Sequence, residues 1–280
     1  MQKSTTLIRQ SLIGIYPEEE IRAISRLIWE EVCGYTPVEV ILHKDTILDE
    51  NTGKKIASIV TRLTQGEPIQ HILGFAHFDG HKFTVTRDTL IPRPETAELV
   101  ALIARESPTG RRVADIGTGS GCIAISLAHR HPEWHVEGWD ISEKALVIAR
   151  QNNRDIGTNV SFIPCDILSF TPSPHDIGSY DIIVSNPPYI VPSEKCTMAR
   201  NVLEYEPHSA LFVPEEEPLL FYKSIADCAL GLLHRDGRLY FEINPLFAQE
   251  TVSMLDDYGY TDITLHRDFC DRQRFISATR

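Results

Sequence analysis

A chain of 280 residues, 42% hydrophobic and 24% charged, has the composition of one large or two smaller folded domains, and it lacks any apolar run of the roughly 18–20 residues that a membrane-spanning helix needs. The net charge of −12 argues against a surface built for phosphate backbones and suits a basic protein partner better. The six cysteines are scattered without a C-x-x-C pair, and the first residues show neither a long apolar segment nor a small-residue cleavage site, so reduced thiols, no export signal, no membrane contact and a cytoplasmic location are expected.

The first 71 residues read as helical. Pro17-Glu18-Glu19-Glu20 places a proline and acids where a helix start favours them, and Ile21, Ile24, Leu27 and Ile28 follow at helical spacing. Asp45 is the expected cap of a further helix, with Ile56, Ile59, Val60 and Leu63 along one face up to Gly66. No chemistry is visible here, and both a partner-recognising bundle and a stabilising cap remain open. Residues 72–94 read as a linking segment. Phe75 to Thr86 carries an Asp79-Gly80 turn between alternating runs, a β-hairpin signal. Pro92 and Pro94 then forbid regular helix until Glu95.

From residue 95 to 280 strands and helices alternate. Strands are expected at 112–116, 136–139, 160–163, 181–185 and 238–243, and helices at 122–129, 143–152 and 219–233. Two further strands, 261–266 and 274–278, close the chain. The alternation predicts an α/β domain with a mainly parallel sheet covered on both faces.

The sharpest local signal is Asp115-Ile-Gly117-Thr118-Gly119-Ser120-Gly121, where an apolar strand runs into a glycine-rich turn that opens a helix. Asp140, nineteen residues after Gly121 at the end of the next strand, is placed to bond both hydroxyls of a ribose. A dinucleotide fingerprint would need a third glycine where Cys122 stands, and a phosphate loop would need a Gly-Lys-Ser/Thr sequence that is absent. Asp115 would repel a pyrophosphate and suits the ammonium of a methionine moiety. S-adenosyl-L-methionine, leaving as S-adenosyl-L-homocysteine, is therefore favoured over NAD, ATP or an empty turn. Asp166, after the third strand, is a candidate acceptor for the adenine amino group, with Ile167 covering the ring; Asp166 as a turn or cap residue is the alternative.

The apolar run 181–185 ends in Asn186-Pro187-Pro188-Tyr189, 65 residues beyond Gly121. Ligands of open parallel sheets bind beyond the carboxyl ends of the strands. The Asn186 side-chain oxygen and the Pro187 carbonyl can both accept from one NH2 group, and Tyr189 offers a flat face beside it. That suits a planar nitrogen whose lone pair is delocalised. Two acceptors orient it, and both bonds strengthen as positive charge grows on nitrogen during methyl transfer. The cluster His129, His131 and His135 falls at a helix end, and Pro132 interrupts it, so no metal is expected.

Together these motifs resemble the HemK/PrmC family, the protein-(glutamine-N5) methyltransferases of peptide chain release factors. The resemblance spans nearly the whole chain, through Gly66-Glu-Pro-Ile-Gln70, Leu90-Ile-Pro-Arg-Pro-Glu-Thr96, the glycine loop, Asn186-Pro-Pro-Tyr-Ile190, Glu206-Pro207 with Ala210-Leu211, and Asp268 with Arg274. It implies a seven-stranded class I, Rossmann-like methyltransferase domain behind a small N-terminal helical domain and a β-hairpin linker. It also implies a release-factor substrate methylated on the glutamine of a Gly-Gly-Gln motif. Residues 117–121, Asp140 and Ile167 would hold the cofactor, and residues 186–189 the glutamine. His71, His77, Ala97, Ile167 and Glu242-Ile-Asn-Pro245 depart from the family's usual residues. The competing reading is an N6-adenine methyltransferase acting on DNA or RNA, which would use the same tetrapeptide.

Overall fold

A computed structural model describes residues 2–107 and 111–280. The chain forms two compact units, residues 1–74 with 199–205, and residues 75–198 with 206–280.

The first unit is helical, with α1 (Gln2–Leu12), α2 (Glu18–Cys33), α3 (Pro37–Leu42), α4 (Glu50–Thr64) and α5 (Ile69–Leu73). Pro17 and three acids in the first turn start α2, and Gly34 ends it in the left-handed conformation. A reciprocal capping box between Thr36 and Glu39 starts α3. The cap of α4 is Asp49, whose side chain accepts from the Thr52 amide, and Asp45, the residue expected from the sequence, lies in the preceding turn. Both aspartates suit a cap chemically; the apolar stripe Ile56, Ile59, Val60 and Leu63 fits a helix beginning one turn later. That stripe packs on Ile8, Leu12, Ile21, Ile24, Ile28 and Trp29 to form the unit's core.

The second unit begins with the hairpin β1 (Phe75–Phe78) and β2 (His81–Thr84), turned at Asp79-Gly80. Helix α6 (Pro94–Glu106) follows, starting at Pro94 itself because a proline at the first helical position has no amide bond to lose. Then come β3 (Arg112–Ile116), α7 (Cys122–Arg130), β4 (His135–Asp140), α8 (Glu143–Ile156), β5 (Ser161–Pro164) and β6 (Tyr180–Ser185). Helix α9 (Arg200–Tyr205) packs with the first unit, its Tyr205 hydroxyl donating to the Gln65 carbonyl at 3.2 Å. The chain ends with α10 (Leu220–Leu232), β7 (Leu233–Glu242), α11 (Ala248–Asp257), β8 (Thr261–Arg267) and β9 (Gln273–Thr279). The hairpin rests on α8 through Asn152, whose side chain accepts from the Thr84 amide at 2.7 Å and donates to the Thr84 carbonyl at 3.1 Å.

The sheet has seven strands in the order β5-β4-β3-β6-β7-β9-β8. Strands β5 to β7 are parallel, and β9 inserts antiparallel between β7 and β8. The central parallel strands β3, β6 and β7 are largely buried where they pair, as their near-continuous apolar runs require, while β5 is an exposed edge strand. One face packs on α6 and α7 through Leu99, Ile103, Ile125 and Leu127; the other packs on α10 and α11 through Ile225, Ala229 and Leu255. This is the seven-stranded class I architecture that the family resemblance implies. Among the described residues, no helix is long and apolar enough to cross a membrane.

Candidate functional site

Parallel register gathers the sequence motifs at one edge. Ile116 on β3 is level with Ser185 on β6 and with Trp139 on β4, so the glycine loop, Asp140 and the Asn186 tetrapeptide leave adjacent strands at the same height. Pro164 on β5 is level with Asp140, and Phe241 on β7 is level with Ser185, which brings Asp166 and Glu242 to the same carboxyl edge.

The loop of residues 117–121 is held by two amides, Gly117 and Thr118, which donate to the Trp139 carbonyl at 2.8 and 2.9 Å. A side chain at Gly121, where φ is +82°, would come within 2.8 Å of Ile125 Cδ1, so only glycine fits there. Gly117 and Gly119 also have positive φ, but a Cβ on either would meet nothing within 4 Å. The loop is therefore tight against the helix at one end and open in its middle. Thr118 and Ser120 are buried, and the Asn152 amide donates to the Ser120 carbonyl at 2.9 Å.

The two acids are held differently. Asp140 accepts from the Gly119 amide through Oδ2 and from the Ser142 amide through Oδ1, both at 2.8 Å, while burial raises its pKa. Asp115 is wholly buried. Its Oδ2 accepts from the Thr118 hydroxyl at 2.6 Å and the Ala124 amide at 3.2 Å, and its Oδ1 has no partner among the described residues. Burial raises the Asp115 pKa to about 7. Asp166 bonds its own turn, accepting from the Leu168 amide at 3.0 Å and the Ser169 hydroxyl at 3.2 Å, and Ile167 packs against the core. Asp166 also lines a cavity of about 500 Å³ whose polar wall, Arg112, Glu137 and Tyr180, is bonded to itself.

The tetrapeptide is fixed from several sides. The Tyr189 amide donates to the Leu211 carbonyl at 3.3 Å, and the Tyr189 carbonyl accepts from Asn244 Nδ2 at 3.1 Å. The Tyr189 hydroxyl donates to Glu242 Oε1 at 3.3 Å, and burial keeps it a neutral phenol with a raised pKa. Asn186 Nδ2 donates to the Thr96 hydroxyl at 3.4 Å. Glu242 is buried, and burial raises its pKa against the lowering effect of Thr96, Arg274 and Tyr189.

Glu206 explains a motif that had no chemistry. Its buried carboxylate accepts from the Ile91 amide at 3.0 Å and from Arg93 Nη2 at 2.5 Å, so it holds the proline-rich segment ahead of α6. Thr96 and Glu242 likewise belong to the site's frame without any local sign of it. The exposed Ile141, directly after Asp140, is a further apolar residue at this edge. The three histidines have separate surroundings. His129 meets His81 edge-on, His131 stacks on Trp134, and His135 begins β4. Among the described residues, no three His, Cys, Asp or Glu side chains converge as metal ligands.

Comparison with known proteins decides the family. The family model for the PrmC N-terminal domain matches residues 7–74, and that for the methyltransferase small domain matches residues 95–208. The chain is 47% identical over 280 residues to the release factor glutamine methyltransferase of Bacteroides thetaiotaomicron, covering 100% of both chains. This chain belongs to the release factor glutamine methyltransferase family. It is 41% identical over 275 residues to the enzyme of that name from Flavobacterium psychrophilum, covering 96% of this chain and 95% of the relative. The fold itself recurs in the hMettl16 catalytic domain, solved in complex with MAT2A 3′UTR hairpin 1, with a TM-score of 0.56 and 18% identity over 80% of this chain and 79% of that one. Family membership makes the chain a methyltransferase.

Proposed function

We propose that this enzyme transfers the methyl group of S-adenosyl-L-methionine to the side-chain amide nitrogen of the glutamine in the Gly-Gly-Gln motif of peptide chain release factors. The observation that carries the reading is the register of β3 with β6, which sets the open glycine loop beside Asn186-Pro187-Pro188-Tyr189. The named relatives match end to end, including the first unit, so the adenine alternative is not favoured.

The residues present fit the cofactor. Asp115 holds a buried carboxyl oxygen without a partner among the described residues, a costly arrangement that a ligand ammonium would relieve. Asp140 presents a carboxylate for ribose hydroxyls, and the open middle of the loop lets a ligand approach backbone amides. Asp166 and Ile167 are assigned to the adenine, with Asp166 also bonded in its own turn. When bound, S-adenosyl-L-methionine supplies a methyl group on a positively charged sulfur.

The chain's own groups do the rest. Asn186 Oδ1 and the Pro187 carbonyl accept the two hydrogens of the glutamine NH2 and orient its nitrogen. Pro188 stiffens the loop, and Tyr189 covers the planar amide and excludes water. Both acceptor bonds strengthen as nitrogen becomes positive, so they stabilise the transition state more than the ground state; the N–CH3 bond forms as the sulfur–methyl bond breaks, and the nitrogen then gives up one proton to solvent to leave the neutral N-methyl amide. Residues 1–71 are assigned to recognition of the release factor, residues 72–94 to the link and residues 95–280 to catalysis. Incubating the purified protein with a release factor and labelled cofactor, followed by mass mapping of the tryptic peptides, tests the reading. A methyl group on the Gly-Gly-Gln glutamine is expected. Methylation of DNA or RNA adenine with none on the protein would overturn it.

A further inference from the structure

Two buried polar side chains, Thr96 and Glu242, lie next to the tetrapeptide and carry no role in the mechanism above. They form a chain of hydrogen bonds with one direction. The Thr96 hydroxyl owns a single proton, and it gives that proton to Glu242 Oε2 at 2.7 Å. Toward Asn186 the same hydroxyl can therefore only accept, and it does so from Nδ2 at 3.4 Å. Rotating the carboxamide by half a turn would set Oδ1 against a hydroxyl oxygen with no proton left to offer. The other oxygen of Glu242 accepts from the Tyr189 hydroxyl. One carboxylate thus holds both ends of the tetrapeptide, Tyr189 directly and Asn186 through Thr96.

We infer that Glu242 and Thr96 are positioning residues that set the hydrogen-bonding polarity of Asn186, committing its NH2 inward so that its Oδ1 is the end left to accept from the substrate amide. The inference deepens the proposed glutamine methylation and rests on it. A carboxamide has two ends of nearly equal shape, and only one of them can receive the hydrogens of a substrate NH2. Asn186 presented the wrong way round would offer two donors to two donors. A carboxylate is the group that prevents this, because it can accept but never donate. An amide in its place could donate to Thr96, turn the hydroxyl proton toward Asn186 and stabilise the reversed carboxamide. Burial raises the Glu242 pKa, and Arg274, which ion-pairs with buried Asp268 at 3.3 Å, acts electrostatically against that rise and supports the charged form. This gives a role to a buried acidic side chain that lies between two site residues.

The test uses the full-length enzyme with a release factor and S-adenosyl-L-methionine. Thr96→Val keeps the shape and removes the hydroxyl, and Glu242→Gln keeps the shape and removes the one-way acceptor. Each is expected to lower kcat by about tenfold to a hundredfold, the scale of a misplaced catalytic contact, with cofactor Kd changed by no more than about twofold. Thr96→Ser, which restores the hydroxyl, is expected to recover most of the turnover lost in Thr96→Val. A second readout needs no turnover: the Asn186 side-chain NH2 resonances should shift and exchange faster in Thr96→Val and Glu242→Gln than in wild type or Thr96→Ser. Thr96→Ala takes the place of Thr96→Val if valine prevents folding, with the same expectation. Near-normal kcat and unmoved Asn186 resonances in folded Thr96→Val and Glu242→Gln would overturn the inference. A wild-type enzyme inactive on release factors would overturn the proposed function instead, and the resonances would then decide the polarity alone.

Discussion

Cofactor affinity should depend on pH through Asp115, and the size of the effect follows from its burial. The carboxyl group is wholly buried, and its pKa stands at about 7 because desolvation outweighs the bonds from Thr118 and Ala124. An ammonium favours the charged carboxylate, so a proton on Asp115 competes with the cofactor. Affinity is present above the raised pKa and is lost as pH falls through it. With a pKa of about 7, the ionised fraction rises from about 3% at pH 5.5 to about half at pH 7, so the apparent Kd should tighten about fifteenfold. An α-amino group, with an ordinary pKa of about 7.7–8.0, stays charged over most of that range. Isothermal titration calorimetry with S-adenosyl-L-methionine across this range measures the slope directly, and in buffers of different ionisation heat it counts the proton released on binding. Asp115→Asn keeps the shape and the bonds to Thr118 and Ala124 but cannot titrate. Its affinity at pH 7 should fall by an amount corresponding to roughly 1.5–3 kcal/mol, and its pH dependence should flatten. Asp140, whose pKa burial also raises, still titrates in that variant, so the difference between the two slopes belongs to Asp115. A wild-type Kd independent of pH, or an Asp115→Asn protein with the wild-type slope, would refute the ammonium assignment. The unliganded fold should show the opposite trend. A carboxyl with a raised folded pKa binds its proton more tightly in the native state, so its contribution to stability is full below the unfolded value of about 3.9 and is lost as pH rises toward 7.

Three other outcomes are expected. Asp140→Ala should weaken cofactor binding by roughly 1.5–3 kcal/mol in a calorimetric titration, because the ribose hydroxyls lose a charged acceptor and the Gly119 amide loses its anchor. Asn186→Ala should lower kcat by about 10²–10³ with a smaller effect on cofactor Kd, and Asn186→Asp should fall between it and wild type; single-turnover kinetics on a release factor separates the two effects. Glu206→Ala should destabilise the second unit by roughly 1.5–3 kcal/mol in urea unfolding, since it strips the Ile91 amide and Arg93 of their shared acceptor, and Glu206→Gln should lose less.

Motifs that act through backbone geometry were legible before any coordinates. A glycine loop between a strand and a helix, an acid ending the next strand, and a proline-stiffened Asn-Pro-Pro-Tyr after a buried strand are local arrangements, and each stands at the carboxyl edge of the sheet. The helix starts were less legible. Asp45 and Asp49 both suit a cap, and the packing of the α4 stripe on α1 and α2 selects Asp49. Glu242 and Glu206 carry no local mark, because a glutamate in a strand or a loop is ordinarily a surface residue. Their importance comes from partners far along the chain, Thr96 for the first and Ile91 with Arg93 for the second.

The sequence by itself determined the class of fold and where along the chain the glycine loop and the proline-stiffened tetrapeptide fall. Apolar periodicity encodes local structure, and the backbone demands of glycine and proline are written residue by residue. Only the tertiary structure decided which strands are neighbours: that β3 lies between β4 and β6, that β9 inserts between β7 and β8, and that β7 carries Glu242 up beside Tyr189. Strand order is a choice among long-range pairings that satisfy the same local pattern, settled by the packing of both faces at once. The direction of the Glu242–Thr96–Asn186 bonds depends in turn on that order, since a single hydroxyl proton is assigned only when all three groups are in place.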